Sequence, residues 1–117
     1  MRDYRKLEPW QEAREVTTAA FLVARSHWKP EAAPLFEHLQ KAVLSVQSNI
    51  VLGCTLAPRR YAYHLTMAWG SSMEAADLWE TGLKEGILPG DFAVDAIRRC
   101  KRCQELLLEL IKRHMTS

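Results

Sequence analysis

Six consecutive residues, Arg98-Arg99-Cys100-Lys101-Arg102-Cys103, concentrate more reactive side chains than any other stretch of the chain. Two chemistries could use them. Four cations packed into little more than one helical turn suit phosphate contacts, because each Lys or Arg that neutralises a phosphate releases condensed counterions. The cysteines form a C-x-x-C, the spacing of redox dithiols and of half a zinc site. Each chemistry has a plainer alternative. The cations also fit a solvated helix face, with Arg98, Arg102, Glu105 and Glu109 laced by ion pairs worth about 0.2 to 0.5 kcal/mol each. The cysteines have no βαβ setting, and a zinc ion needs about four ligands, so Cys54 and a histidine such as His64 would have to converge on them. Small buried apolar side chains are the simpler role, and no metal or cofactor is expected.

Further cations extend the phosphate reading. Arg59 and Arg60 stand beside Tyr61 and Tyr63, a pairing of charge and aromatic surface that suits an unpaired base, although tyrosines at that spacing are also common in cores. Lys112 and Arg113 lie near the end of the last helical segment, where positive charge also meets the negative end of the helix dipole. Catalytic patterns are absent. His27, His38, His64 and His114 follow no metalloprotease or deaminase spacing. Gly70-Ser71-Ser72 lacks the strand-turn-helix setting of a nucleophile elbow, and small residues there suit close helix approach. Glu12 and Glu15 read as a solvated face. The expectation is a protein without enzymatic activity.

Charge and composition bound the rest. The 117 residues, 16 Lys+Arg and 14 Asp+Glu give a net charge of +2. Residues 1–85 are balanced, ten against ten, so the excess comes from residues 86–117, six against four. A mass of 13.4 kDa leaves room for one domain, residues 1–117, with one sizeable core. With 48% hydrophobic and 26% charged residues the chain reads as an ordinary globular protein, neither disordered nor collagen-like. No window approaches about 18 uninterrupted apolar residues, so no membrane span is expected. Three cysteines and a charged start from Met1 to Trp10, without an apolar signal core, lead to an expected cytoplasmic setting with reduced thiols.

Apolar residues recur at helical spacing in four segments. The first opens near Pro9, with Leu7 as a possible staple, and carries Trp10, Ala13, Thr17, Ala20, Phe21 and Ala24 on one face; it should stop by Lys29-Pro30. The second starts at Ala33-Pro34 and sets Leu35, Leu39, Ala42, Val43, Val46 and Ile50 along a face, with Gly53 as its C-cap. The third, from Pro58 to Glu85, carries the seam Tyr61, Leu65, Ala68, Ser72, Ala75, Ala76, Trp79 and Leu83, and Gly86 ends it. The fourth, Asp91 to Arg113, is expected to bury Val94, Ile97, Cys100, Gln104, Leu107 and Ile111. Short connections favour antiparallel neighbours, hence an all-α, up-down-up-down four-helix bundle.

Two helices have more apolar surface than one stripe requires. The third adds Tyr63, Met67, Trp69 and Met73; the fourth adds Phe92, Cys103, Leu106, Leu108 and Leu110. Either these widen the bundle core or a surface with Tyr63, Met67, Trp69, Met73, Leu106 and Leu110 is buried between subunits, making the protein a homo-oligomer.

Arg2-Asp3-Tyr4-Arg5-Lys6-Leu7 with Trp10-Gln11 and Ala13 resembles the opening of the bacterial four helix bundle protein family, also called 23S rRNA intervening-sequence or S23-like proteins. Ser48-Asn49-Ile50 with Gly53 resembles the end of that family's second helix. Ala68-Trp69-Gly70-Ser71 with Glu74 resembles its glycine-serine motif, and Leu83, Gly86 and Leu88 its turn into the fourth helix. The resemblance covers nearly the whole chain, with two departures: Gln47 stands where the family usually has proline, and Leu52 where it has an acidic residue. No role of that acid is carried over.

What the resemblance implies is a four-helix protomer in a ring-like or barrel-like homopentamer. Relatives include accessory proteins of diversity-generating retroelements, which bind nucleic acid and partner a reverse transcriptase. Five copies would carry about +10, enough for weak, salt-sensitive phosphate binding. Arg98, Arg99, Lys101 and Arg102, with Arg59, Arg60, Lys112 and Arg113, are the expected contacts to RNA or DNA. The expected role is a nucleic-acid-binding or scaffold module, accessory to an RNA-processing or reverse-transcribing partner; the competing expectation is a purely structural module that recognises another protein and binds no nucleic acid, with these charges serving solubility.

Overall fold

Prolines set the helix starts. Pro9, Pro34 and Pro58 each occupy the first turn of a helix, where a missing amide needs no partner. The computed structural model describes residues 2–115 and, among them, contains helices and no strand. A 3-10 turn, Tyr4–Lys6, leads into α1, Glu8–Ser26; a second, Pro30–Ala32, leads into α2, Ala33–Cys54; α3 is Pro58–Lys84 and α4 is Gly90–Met115. None of these helices is long and apolar enough to cross a membrane.

The ends follow local chemistry. Gly86, at φ 72°, closes α3: its amide donates to Leu83 O, and the amides of Ile87 and Leu88 both donate to Gly82 O at 2.9 and 3.1 Å. Helix α1 stops at Ser26, ahead of Lys29-Pro30 as expected, and Lys29 is extended before the proline. Gly53 is not a C-cap. Helix α2 runs through it to Cys54, and a Cβ at position 53 would lie 3.1 Å from His64 Cβ and 3.2 Å from Tyr61 Cδ1. Glycine there lets α2 approach α3 closely.

Each helix packs antiparallel against its neighbours in sequence, and α4 returns against α1. The register can be followed in single contacts. Thr17 Oγ1 reaches Val43 O from α1 to α2; Ser45 Oγ meets Ser71 Oγ at 2.8 Å from α2 to α3; Ser72 Oγ donates to Cys100 O at 3.2 Å from α3 to α4; Arg99 reaches Glu12 from α4 to α1. The result is an elongated up-down-up-down bundle, 46 × 20 × 19 Å.

Two apolar clusters fill it. Val16, Val23, Phe36, Leu39, Val43, Trp79 and Leu88 belong to one; Val46, Ile50, Tyr61, Leu65, Cys103, Leu107 and Ile111 belong to the other. A void of about 10 Å³ lies where they meet, lined by Ala13, Ser72, Ala75, Cys100 and Cys103 among others. The α3 seam is buried as expected, apart from a half-buried Leu83. The α4 stripe is rotated from the expected one. Val94 is 60% exposed, whereas Ala93, Ala96, Cys100, Cys103, Leu107 and Ile111 are buried. Small residues win on that face because α4 must lie close to both α1 and α3.

Candidate nucleic-acid interface

The basic turn of α4 is tied up in ion pairs. Arg98 Nη2 is 2.5 Å from Asp95 Oδ1, and Arg99 Nε is 2.9 Å from Asp95 Oδ2 while its Nη1 is 2.7 Å from Glu12 Oε1. Lys101 Nζ lies 4.0 Å from Glu80 Oε1, and Arg102 Nε 3.3 Å from Glu8 Oε2. Each of the four cations therefore faces a carboxylate. The partners are not the expected Glu105 and Glu109: three of them, Glu8, Glu12 and Glu80, come from α1 and α3, so the cluster joins α4 to both neighbours.

Hydrogen bonds from Arg99 and Arg98 hold the Asp95 carboxyl below its usual pKa. Its stabilising contribution is present at neutral pH and fades as pH falls below about 4 toward the lower native value. Asp95 is half exposed, so Asp95→Asn should cost only about 0.5 kcal/mol at neutral pH, and the difference from wild type should vanish in acid and shrink with salt. Thermal melts at two pH values and two salt concentrations check this.

Seven of the other twelve cations gather at one end of the bundle, where α1 and α3 begin and α2 and α4 finish. Among the described residues, the side chains of Arg2, Arg5, Lys6, Arg59, Arg60, Lys112 and Arg113 share that end with those of Asp3, Glu8 and Glu109, seven cations to three acids, which leaves nine to eleven for the remainder. The bundle is thus polarised along its length. Arg2 is structural: Nη1 donates to Leu56 O at 2.8 Å and the guanidinium lies 3.9 Å above the Tyr61 ring, fixing the α2–α3 turn. Arg5 lies over Tyr4 at 4.9 Å. Among the described residues, Arg59, Arg60 and Arg113 have no carboxylate within 4.0 Å. Residues 2–6 were not among the expected phosphate contacts. Helix alternation, which returns residues 2–6, 59–60 and 112–113 to one end, is the signal that reveals them.

The two tyrosines part company. Tyr61 is buried, meets His114 edge-on at 4.8 Å, and has its hydroxyl pKa raised by burial. Tyr63 is 62% exposed and touches His64 edge-on at 5.3 Å. Arg59, Ala62, Tyr63 and Thr66 line a groove with His114 and Met115.

Several of the residues that carry the family resemblance have packing roles. Asn49 Nδ2 donates to Ser45 O at 2.9 Å, leaving Oδ1 to accept from His64 Nδ1 at 3.0 Å, and Ser45 meets Ser71. Near the N-terminus, Asp3 Oδ1 accepts from the Arg5 amide, Gln11 Nε2 donates to Arg5 O, and Tyr4 packs edge-on to Trp10. Of the expected subunit contacts, Tyr63, Met67 and Met73 are exposed, Leu106 is half-buried, and Trp69 and Leu110 pack against their own core. Leu44, Leu52 and Leu108 are further exposed apolar side chains.

Cys54, Cys100 and Cys103 are free and buried, and burial pushes the Cys100 and Cys103 thiols up to about 12. Thiolate is the nucleophile and the metal ligand, so these groups are quiet at neutral pH. No thiol should react with iodoacetamide in the folded protein, and all three should react in denaturant, as read by intact mass. Among the described residues, no three His, Cys, Asp or Glu side chains are placed to hold a metal ion. Compared with known proteins, the chain matches no protein-family model and no curated protein.

Proposed function

We propose that this protein is a non-enzymatic nucleic-acid-binding module of the four helix bundle protein family, acting in the cytoplasm as a homo-oligomer, with a pentamer the form the resemblance implies. The observation that carries it is the gathering of Arg59, Arg60 and Arg113, without acidic partners among the described residues, at a bundle end that is basic overall. Phosphate is the ligand class that such a cluster attracts. Arg99, Lys101 and Arg102 serve mainly to hold α4 to its neighbours, and Arg98 pairs with Asp95 of its own helix. An accessory role beside an RNA-processing or reverse-transcribing partner is the cellular setting suggested by the resemblance alone.

Association is supported by Gly70. It is exposed in the middle of α3, an added Cβ would meet nothing within 4 Å, and glycine in a helix interior costs about 1 kcal/mol relative to alanine. Nothing within the described chain requires it, whereas a second subunit close to α3 would. Exposed Met67 and Met73 lie on the same helix, three residues to either side. Gly70→Arg is expected to leave the helical fold intact and to reduce the native mass to that of one chain; an unchanged oligomer would exclude this face from the interface.

RNA binding by the nuclease-treated protein across a salt series, with native mass recorded on the same samples, tests the whole reading. Joint replacement of Arg59, Arg60 and Arg113 by Ser should lower the salt slope by roughly one per residue. Replacing Arg98, Arg99, Lys101 and Arg102 with Ser should change it less. Absence of binding at low salt by an intact oligomer would favour the protein-interaction module instead.

A further inference from the structure

A basic bundle end attracts any polyanion, duplex or single-stranded, because phosphate charge is common to both. The groove beside it has a feature that duplex cannot use. Tyr63, on the second turn of α3 and nearly two turns before Gly70, is assigned here to a ligand rather than to the subunit contact expected of it: its ring is 62% exposed and stands edge-to-face with that of His64. Arg59 stands one turn earlier on the same face, an i,i+4 pair, at the N-terminal end of a 27-residue helix where the backbone dipole is positive. Ala62, too small to fill the space, and Thr66, whose hydroxyl donates to Ala62 O at 2.9 Å and can still accept, complete the α3 wall. His114 and Met115 of α4 form the other wall, with His114 fixed by the contact of Nδ1 with Leu110 O at 2.8 Å. The groove has a volume of about 360 Å³, in the range of small-molecule sites.

An exposed aromatic ring, a guanidinium one helical turn away and a groove of that size match a nucleotide whose base is out of its stack. We infer that this groove holds one unpaired nucleotide of a single-stranded nucleic acid, its base against the Tyr63 ring and its phosphate on Arg59. The inference rests on the nucleic-acid reading above and narrows it to single strands. A duplex keeps its bases stacked on one another and gains nothing from Tyr63; every base has a π-face, so a single strand gains whatever its sequence. An acidic peptide would satisfy Arg59 but would leave the aromatic surface unused.

The test compares a short fluorescein-labelled oligouridylate with an RNA duplex of equal length, by anisotropy at fixed salt. Tyr63→Ala should weaken the single strand roughly tenfold or more and leave the duplex unchanged, while Tyr63→Phe retains the stacking and the affinity. Arg59→Ser should weaken both and lower the salt slope by about one. Native mass and circular dichroism of each variant separate a loss of stacking from a loss of assembly. Equal loss on both ligands, or no loss on the single strand with Tyr63→Ala, overturns the inference while leaving the broader reading standing. No binding of either ligand by the wild-type oligomer at low salt overturns both.

Discussion

Replacement of Trp79 by alanine is expected to cost about 3 to 5 kcal/mol, the usual range for removing a fully buried aromatic side chain. Trp79 has no exposed surface, belongs to the cluster formed with Phe36, Leu39, Val43 and Leu88, and is the largest of the fully buried residues. A domain of this size is stabilised by only about 5 to 15 kcal/mol in total, so Trp79→Ala should take a large share of the transition midpoint in urea. Trp79→Phe supplies the internal comparison. The indole Nε1 is buried and has no hydrogen-bond partner among the described residues, so phenylalanine gives up volume but also removes an unsatisfied donor. The expected loss for Trp79→Phe is less than half that for alanine. Urea melts followed by circular dichroism check both; a loss below about 1 kcal/mol for Trp79→Ala would contradict close packing around this ring.

The architecture was legible because α3 is unambiguous. Its residues at 61, 65, 68, 72, 75, 76 and 79 form one unbroken apolar or small seam, and all are buried. Prolines at 9, 34 and 58 and Gly86 then fix three starts and one stop. Helix α4 was harder. Val94 outweighs Ala93 on any hydrophobicity scale, yet the alanine faces the core because the room between α1, α3 and α4 is set by backbone approach rather than by side-chain hydrophobicity. Periodicity gives the existence of a stripe more reliably than its centre when alanines and cysteines compete with larger residues.

The candidate site was legible in its residue types but not in its pairing. Arg98 to Arg102 stand out in the sequence; that Arg99, Lys101 and Arg102 face Glu12, Glu80 and Glu8 does not, since those acids are distant in sequence and adjacent only after α1 and α3 pack against α4. The same holds for the Asn49–His64 contact, which joins the end of α2 to the start of α3. Local charge density therefore marks places where cations are numerous, and tertiary packing decides which of them remain available to a phosphate. Arg59 and Arg113 have no acid within reach among the described residues, although each is less conspicuous in the sequence than the α4 run.

Gly82→Ala is the substitution for which two effects of similar size oppose one another, and geometry decides the sign. On helix propensity alone alanine should stabilise α3 by about 1 kcal/mol. Gly82 is buried, however, and an added Cβ would lie 2.6 Å from Leu88 Cγ, closer still to Leu88 Cδ1, and 3.1 Å from Leu35 Cδ2. Leu88 cannot swing clear easily, because its side chain is buried and its own amide donates to Gly82 O. The backbone turn that ends α3 and the side chain that covers it are thus fixed together. Overpacking of this kind costs typically 1 to 3 kcal/mol, and contacts this short belong to its upper part, about 2 to 3 kcal/mol, so after the propensity gain of about 1 kcal/mol a net destabilisation of about 1 to 2 kcal/mol is expected. Leu88→Ala alone should cost about 2 to 3 kcal/mol through the cavity that it leaves. In the double variant the new methyl occupies part of that cavity, so the combined loss should fall short of the sum of the single losses by at least about 1 kcal/mol, a coupling measurable by urea denaturation of the four proteins in the cycle. Additive losses would mean that Leu88 moves aside in the Gly82→Ala variant without cost. The turn from α3 into α4 would then be looser than the close contact of Gly82 with Leu88 requires.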